Sequence, residues 1–381
     1  MNNANYILTG STGILGSHIM YELLLAIHNN NYNGRLILML RSRKDKTCAE
    51  RFDELFCDDI TPDYLKGVDT QRLRNNNITL IDMDLRYINE ADVTSHLGSQ
   101  QYHLIHCAAS VNLGTNAYAF EEIRHNNYLG TLNLIHILHS RLTKVSYVST
   151  AFSLSDKNGE LHQTAETRND EDYRNYYEKY KVQTEHEVEQ ICDAYGLPWQ
   201  IFRPSIICGR LVDYPHHVIP KFLVFYMFGA FFYRAKAMQN VQHVRIAMNA
   251  SSGLNLIPVD YAAKAIVRAL DKDIKELNLV SKKNVPNIYT IPEMLRLIGW
   301  TSYEFMEQVP ENQNPLEKLY YRTVGAQLNT YLGTPEAPDA EFNINTLNDL
   351  MHDIGEPQVA SHFTELCQYA VERGFANPLQ N

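Results

Sequence analysis

Tyr6-Ile7-Leu8-Thr9-Gly10-Ser11-Thr12-Gly13-Ile14-Leu15-Gly16 is the stretch on which the reading of this chain turns. Its apolar start suits a short buried strand. Ile14, Leu15, Ile19, Leu23, Leu24 and Ile27 then recur at the spacing of one buried helix face. Between them lies a G-x-x-G-x-x-G loop, at the point where strand hands over to helix. Glycines there let backbone approach a pyrophosphate, whose charge comes to rest on the helix N-terminus. A glycine triplet alone is a weak signal, since turns use glycine freely. Its place directly after the first strand makes it a dinucleotide fingerprint. Thr9, Gly10, Thr12, Gly13, Ile14, Leu15 and Gly16 are accordingly expected to bind the cofactor.

Working outward, strand-like runs stand at Tyr6–Leu8, Leu36–Leu40, Ile78–Ile81, His103–Cys107, Val145–Ser149 and Trp199–Phe202, with helical periods between them. Such alternation implies an α/β fold, a Rossmann-type doubly wound parallel sheet covered by helices on both faces. No internal repeat is present. After Pro204 the alternation fails, and residues 212–249 read as aromatic and basic. Leu254–Asp260 returns to a strand-and-turn signal, followed by a helix over Tyr261–Leu270. From about Asn287 the chain reads helical, punctuated at Pro310, Pro315 and Pro335–Pro338. The expected division is a nucleotide domain over 1–210, rejoined by 254–272. A smaller, mostly helical C-terminal substrate domain takes 211–253 and 273–381.

The chain has 381 residues, enough for a large nucleotide domain and a smaller partner. Hydrophobic residues make up 45% and charged residues 20%, an ordinary globular profile, and the Asn-rich stretches Asn29–Asn33 and Asn75–Asn77 are too short to be disordered tails. A net charge of −10 argues against a nucleic-acid partner, which needs clustered Lys and Arg. The six cysteines include no C-x-x-C pair and read as reduced core thiols, which fits a cytoplasmic location. His103, His106 and Cys107 share a strand whose alternation sends neighbours to opposite faces, so no metal site is expected. No basic region or cleavage site precedes the first strand, so no signal peptide is expected. The longest apolar run, Phe222–Tyr233, falls short of the roughly 20 residues that span a bilayer. It suits a buried or substrate-facing helix before a membrane-surface element.

The second strand runs into Arg41-Ser42-Arg43-Lys44. An enzyme selecting NAD usually places an acid near this point to hold the ribose hydroxyls. Here the position is basic, and a guanidinium plane suits a 2′-phosphate, which favours NADPH over NADH, with solvated surface charge the alternative account of Arg41 and Arg43. Asp84 and Leu85, after the third strand, are placed to meet the adenine. Ala108, Ala109 and Ser110, ending the fourth, are small where backbone must pass close to a cofactor.

Tyr177 and Lys181 are four residues apart in a polar helical stretch, so both project from one face. A phenol titrating near 10 is a poor proton relay at neutral pH. A neighbouring ammonium is expected to pull it toward the working range, and the same lysine can hold the nicotinamide ribose. Tyr173 and Tyr176 have no lysine four residues on. Val148-Ser149-Thr150-Ala151 closes the fifth strand beside this pair. Thr150 is taken as the second carbonyl donor, with Ser149 its competitor.

With these motifs in order, the chain resembles the extended short-chain dehydrogenases/reductases. More narrowly it resembles the thioester reductase and fatty acyl-CoA reductase ("male sterility") branch, which includes terminal reductase domains of nonribosomal peptide synthetases. The carrying residues are Thr9–Gly16, Leu40-Arg41, His106–Asn112, Asn127–Thr131, Val148–Ala151, Tyr177–Lys181 with Glu185, Arg203–Ile206 and Pro258–Asp260. Looser likeness continues through Tyr331-Leu-Gly, Phe342–Thr346 and Gly374-Phe375. The resemblance implies Thr150, Tyr177 and Lys181 as catalytic residues, and adds Arg51, Asn127, Pro204 and Ile206 to the cofactor-binding set. Two departures stand out: Tyr180 replaces the serine that often precedes the lysine, and the chain is expected to stand free of adenylation and carrier domains. A free-standing reductase of this kind would receive its acyl thioester from a separate phosphopantetheinyl carrier protein or from coenzyme A.

The resemblance implies NADPH-dependent reduction of that thioester to an aldehyde, with further reduction to an alcohol left open. Within enzymes the rival is a nucleotide-sugar epimerase or dehydratase; outside them it is a non-catalytic NADPH sensor. Arg203, Arg210, Lys221, Arg234, Lys236 and Arg245 stand in a segment whose one carboxylate is Asp213. A docking face for an acidic carrier and a solvated helix face both account for this excess. The adjoining aromatic run is a candidate acyl channel.

Overall fold

The structure is a computed structural model and describes residues 4–29, 34–43, 45–155, 162, 164–333 and 342–378. Asn30–Asn33, Lys44 and Pro335–Pro338 of the stretches singled out above lie outside the described residues.

Seven parallel strands form the central sheet: β1 (Tyr6–Thr9), β2 (Leu36–Leu40), β3 (Ile78–Asp82), β4 (Tyr102–His106), β5 (Leu142–Val148), β6 (Trp199–Pro204) and β7 (Glu276–Leu279). Their spatial order is β7-β6-β5-β4-β1-β2-β3. β1, β2 and β4 are buried along their whole length, because helices cover both faces of a parallel sheet. Helices α1 (Ile14–His28) and α5 (Val259–Ala269) pack on one face through Ile19, Leu23, Ala262 and Ile266. Leu134 and Ile135 of α2 (Gly130–Leu138), with Val188 and Ile191 of α3 (Tyr176–Tyr195), fill the other. Strand order reverses between β1 and β4, leaving a crevice at their carboxyl ends where open α/β sheets bind ligands.

β7 was expected in the substrate part of the chain, yet it completes this sheet beside β6. Its sequence, Glu-Leu-Asn-Leu, alternates instead of running apolar, as suits an edge strand half-covered from solvent. A second hydrophobic cluster gathers helix α4 (Phe225–Ala237) with Trp300, Tyr320, Phe363 and Leu366.

Helix α3 starts and stops where local chemistry dictates. The Asn175 side chain accepts the Glu178 N–H at 3.0 Å, and Gly196 ends the helix at φ +66°. Glu185 on its buried face pairs with Arg203 of β6 at 2.7 Å, which fixes the helix against the sheet.

Candidate active site

The glycine loop is packed too tightly for a side chain at Gly10 and Gly16. A Cβ on Gly16 would lie 2.1 Å from the Gly10 carbonyl oxygen, and one on Gly10 would lie 2.6 Å from the Ala108 nitrogen. Behind it runs a buried chain of hydrogen bonds that locks β1 to β4. Thr9 Oγ1 meets His106 Nδ1 at 2.8 Å, His106 Nε2 meets Thr131 Oγ1 at 2.9 Å, and Thr131 donates to the Asn127 carbonyl at 2.6 Å. Since the Thr131 proton goes to that carbonyl, its oxygen accepts from Nε2–H, and Nδ1 is left to accept from Thr9. Burial, followed by the charge of Lys181, lowers the imidazole to about 3, so it stays neutral. The Thr9 oxygen also accepts the Ala108 N–H at 3.1 Å. Asn127 sits behind the crevice wall: it accepts from Ser110 N at 2.7 Å and donates to the Ser110 carbonyl at 2.8 Å.

The crevice holds two adjoining cavities. The one over β2 and β3 has a volume of about 720 Å³ and contains Thr9, Gly10, Thr12, Gly13, Arg41, Arg51, Asp84, Leu85, Ala108, Ala109 and Ser110 in its wall. Arg43, Arg86 and Lys221 join them. Arg51 donates to Thr12 Oγ1 at 2.7 Å and to the Arg41 carbonyl, bridging the glycine loop to the end of β2. Asp84 faces this cavity and is at the same time an arginine anchor, taking Arg41 at 3.2 Å and Arg86 at 2.5 Å. The Arg86 hydrogen bonds, with help from Arg41, hold its carboxyl well below the ordinary aspartate range.

The second cavity, of about 330 Å³, brings Gly13, Ile14, Leu15, Gly16, Thr150, Tyr177, Lys181, Pro204 and Ile206 together. Lys181 donates to the Val148 carbonyl at 2.7 Å, and its ammonium lies 4.7 Å from the Tyr147 ring centre and 5.9 Å from that of Tyr177. Burial lowers Lys181 to about 8. The expected acidification of Tyr177 is reversed: burial raises the phenol, the Glu178 and Cys107 charges add to it, and a hydrogen bond with Thr150 opposes them. Desolvation is the largest cause, and the Lys181 ammonium, which donates to backbone, is not among the charges that move the phenol. Ser149 Oγ is buried on this wall and has no hydrogen-bond partner among the described residues.

Sequence reasoning missed the far wall, made by Phe152, Leu223, Val224 and Tyr331. Tyr331 donates to Glu178 Oε1 at 2.7 Å and accepts from Asn175 Nδ2 at 2.8 Å. Arg174 completes the group, 3.1 Å from Glu178 Oε1 and 2.8 Å from Ser155 Oγ. The side chains of Arg174 and Glu178 are 0% and 1% exposed, so a buried ion pair braces the first turn of α3. The tail residues Tyr331-Leu-Gly carried a family likeness, but nothing in them announced this contact. Val224 adopts φ +53°, ψ −116°, a strained conformation for a β-branched residue, of the kind that gathers at functional sites.

The basic segment does not form an outward face. Arg203 pairs with Glu185 and Glu276, Arg210 is fully buried, Lys221 reaches into the crevice, Lys236 donates to the Ile298 carbonyl and Arg245 pairs with Glu317. Only Arg234 and Lys236 of the six are exposed. The aromatic run is not a channel either, because Phe225, Tyr226, Phe228 and Phe232 are core residues and only Leu223 and Val224 reach the cavity. Among the described residues no cluster of His, Cys, Asp or Glu could hold a metal ion, and no helix is long and apolar enough to cross a membrane.

Residues 8–266 match the sequence profile of an NAD-binding family described as the male sterility protein. A curated relative, the isonitrile lipopeptide synthase of Mycobacterium tuberculosis (strain ATCC 25618 / H37Rv), is 31% identical over 152 residues. That match covers 38% of this chain and 6% of the relative, so the chain spans a small fraction of its length. Among solved structures, the terminal R domain from the myxalamid PKS-NRPS biosynthetic pathway superposes with a TM-score of 0.67 at 18% identity, over 99% of this chain and 93% of that one. A thiolation-reductase di-domain from an archaeal non-ribosomal peptide synthetase gives 0.64 at 21% identity, over 98% and 76%. At these identities the two structures establish a common fold.

Proposed function

The chain belongs to the male sterility protein family, and from that premise we propose that it is an NADPH-dependent reductase of an acyl thioester. One observation carries the reading: Thr150, Tyr177 and Lys181 share a small, largely apolar cavity that opens into a larger one rich in arginine. The residues present fit a dinucleotide. Gly10 and Gly16 leave no room for a side chain, the buried Ser149 hydroxyl lacks a partner among the described residues, and the cations outnumber the carboxylates around the larger cavity. Arg41 and Arg51 would take the 2′-phosphate, and Thr9 to Gly16 the diphosphate. When bound, the reduced nicotinamide supplies a hydride.

The chain's own residues do the rest. Burial keeps the Tyr177 phenol protonated across the physiological range, so it acts as a hydrogen-bond donor and acid, not as a base. Tyr177 and Thr150 stabilise the oxyanion that develops as the thioester carbonyl carbon gains hydride, and Tyr177 gives that oxygen its proton. The resulting hemithioacetal loses the hydroxyl proton and breaks its C–S bond, releasing thiol and aldehyde. Lys181 restores the proton to Tyr177 and holds the ribose. The walls of Phe152, Leu223 and Val224 exclude water from the reacting carbonyl. The thioester would arrive on a phosphopantetheinyl carrier or on coenzyme A, and a second round of reduction would give an alcohol.

The test is incubation with NADPH and a panel of acyl thioesters, following loss of reduced-nicotinamide absorbance together with free thiol. Equal amounts of NADPH consumed and thiol released are expected when an aldehyde trap is present. NADPH binding without thiol release from any carrier-bound or coenzyme A thioester would overturn the reading.

A further inference from the structure

Lys221 occupies a position in the crevice that neither the glycine loop nor the catalytic pair explains. The two cavities share Gly13, Cys107, Ala109, Val111 and Lys221 in their walls. A dinucleotide with its nicotinamide beside Tyr177 and its adenosine beside Arg41 must lead its pyrophosphate past those shared residues. Four of them belong to the glycine loop or the end of β4. Lys221 comes from the opposite side, in the segment that runs into α4.

Its ammonium donates to the Thr12 carbonyl at 2.8 Å, which places it over the glycine loop beside the N-terminus of α1. Thr12 is thereby gripped from two directions, by Arg51 at its hydroxyl and by Lys221 at its carbonyl. Arg43 and Arg51 are the charges that bear on Lys221, and among the described residues no carboxylate pairs with it. Placing a cation in a half-buried crevice against two others is unfavourable unless an anion comes to lie between them.

We propose that Lys221 binds the pyrophosphate of the dinucleotide, closing on it from the substrate side while the glycine loop holds it from below. The inference rests on the reading of the crevice as a nicotinamide dinucleotide site. The same short segment carries Leu223 and Val224 into the catalytic cavity, so the contact ties the substrate wall to the cofactor.

The proposal is tested by titrating wild type, Lys221→Met and Lys221→Arg with NADPH, NADH and adenosine 2′-monophosphate, reading binding by calorimetry. Lys221→Met should weaken NADPH and NADH by the same factor, about tenfold or more, as expected for loss of a hydrogen bond to a charged group. Adenosine 2′-monophosphate, which lacks the pyrophosphate, should bind as before, and Lys221→Arg should restore most of the dinucleotide affinity. Unchanged NADPH binding in Lys221→Met would overturn the proposal. So would weakening of NADPH with NADH spared, or equal weakening of adenosine 2′-monophosphate. No thioester enters these titrations, so failure of the thioester reading would leave their outcome untouched. Absence of dinucleotide binding in wild type would instead remove the premise.

Discussion

The two ends of the crevice solve different physical problems with the same residue types. At the end lined by Arg41 and Asp84, the proposed adenosine end, the charges are partly wet: Arg41 is 46% exposed and its partner Asp84 20%. At the end lined by Tyr177 and Lys181, the proposed catalytic end, they are dry, with Arg174 and Glu178 buried and Lys181 folded onto a backbone carbonyl. Exposed ion pairs contribute little to stability, whereas breaking a buried one is costly. Charge at the first end is therefore available for recognition, and charge at the second holds the machinery in place. Two lysines mark the contrast, since burial lowers both to about 8 but Lys181 lies beside the Tyr177 ring and Lys221 over the glycine loop.

The largest effect expected at the catalytic end is kinetic. Tyr177→Phe removes the acid without emptying the cavity, and thioester reduction should fall by about 10² to 10⁴. NADPH affinity, read by fluorescence titration, should move far less. Persistence of wild-type turnover would mean that the proton comes from elsewhere. Next comes stability. Arg174→Ala strands the Glu178 carboxylate, and denaturant unfolding should show a loss of about 3–5 kcal/mol. Arg41→Ala, at the exposed end, should change unfolding by no more than ~1 kcal/mol. If the two substitutions cost the same, the proposed division between holding and recognising fails.

Legibility in the sequence follows the same line. The adenosine end comes largely from the first four strands, where each signal is local: a glycine loop after a strand, or arginines at a strand's end. The Tyr177/Lys181 pair is local as well, four residues apart on one helix. The substrate wall is not, because Tyr331 meets Glu178 across 153 residues, and a tyrosine in the tail announces no such contact. The direction of the Tyr177 shift was equally invisible, since it depends on how deeply tertiary packing buries the ring. The basic segment misled for a related reason: Arg203 and Arg245 are consumed by Glu185, Glu276 and Glu317, remote in sequence. β7 escaped because two leucines set among polar residues leave too weak a strand signal.

Cofactor preference gives a smaller effect that sharpens the comparison at the wet end. Arg41 is held by Asp84 at the rim of the larger cavity, where a 2′-phosphate would take its free donors. Arg41→Ala should weaken NADPH by about tenfold to a hundredfold while leaving NADH nearly unaffected. Direct titration with both dinucleotides checks this. Equal weakening of the two would move Arg41 from the 2′-phosphate to a part of the cofactor that they share.

The smallest expected effect is on pH, and it discriminates between the two lysines. Each is an ammonium below about 8 and an amine above it, so each loses its charge as pH rises through that value. Tyr177 stays protonated over this window, because its own shift is upward. The alkaline decline in kcat/KM therefore reports lysine, beginning near pH 8 and steepening toward tenfold per pH unit for each proton lost. Measured against NADPH, kcat/KM refers to the free enzyme, and both lysines contribute. Measured against thioester at saturating NADPH, it refers to enzyme whose Lys221 is already held charged by phosphate, and only the Lys181 limb remains. The first profile should thus fall more steeply than the second in wild type, and the two should become parallel in Lys221→Met. Profiles already parallel in wild type would show that the charge on Lys221 is not used to hold the cofactor, leaving the catalytic end alone sensitive to alkali.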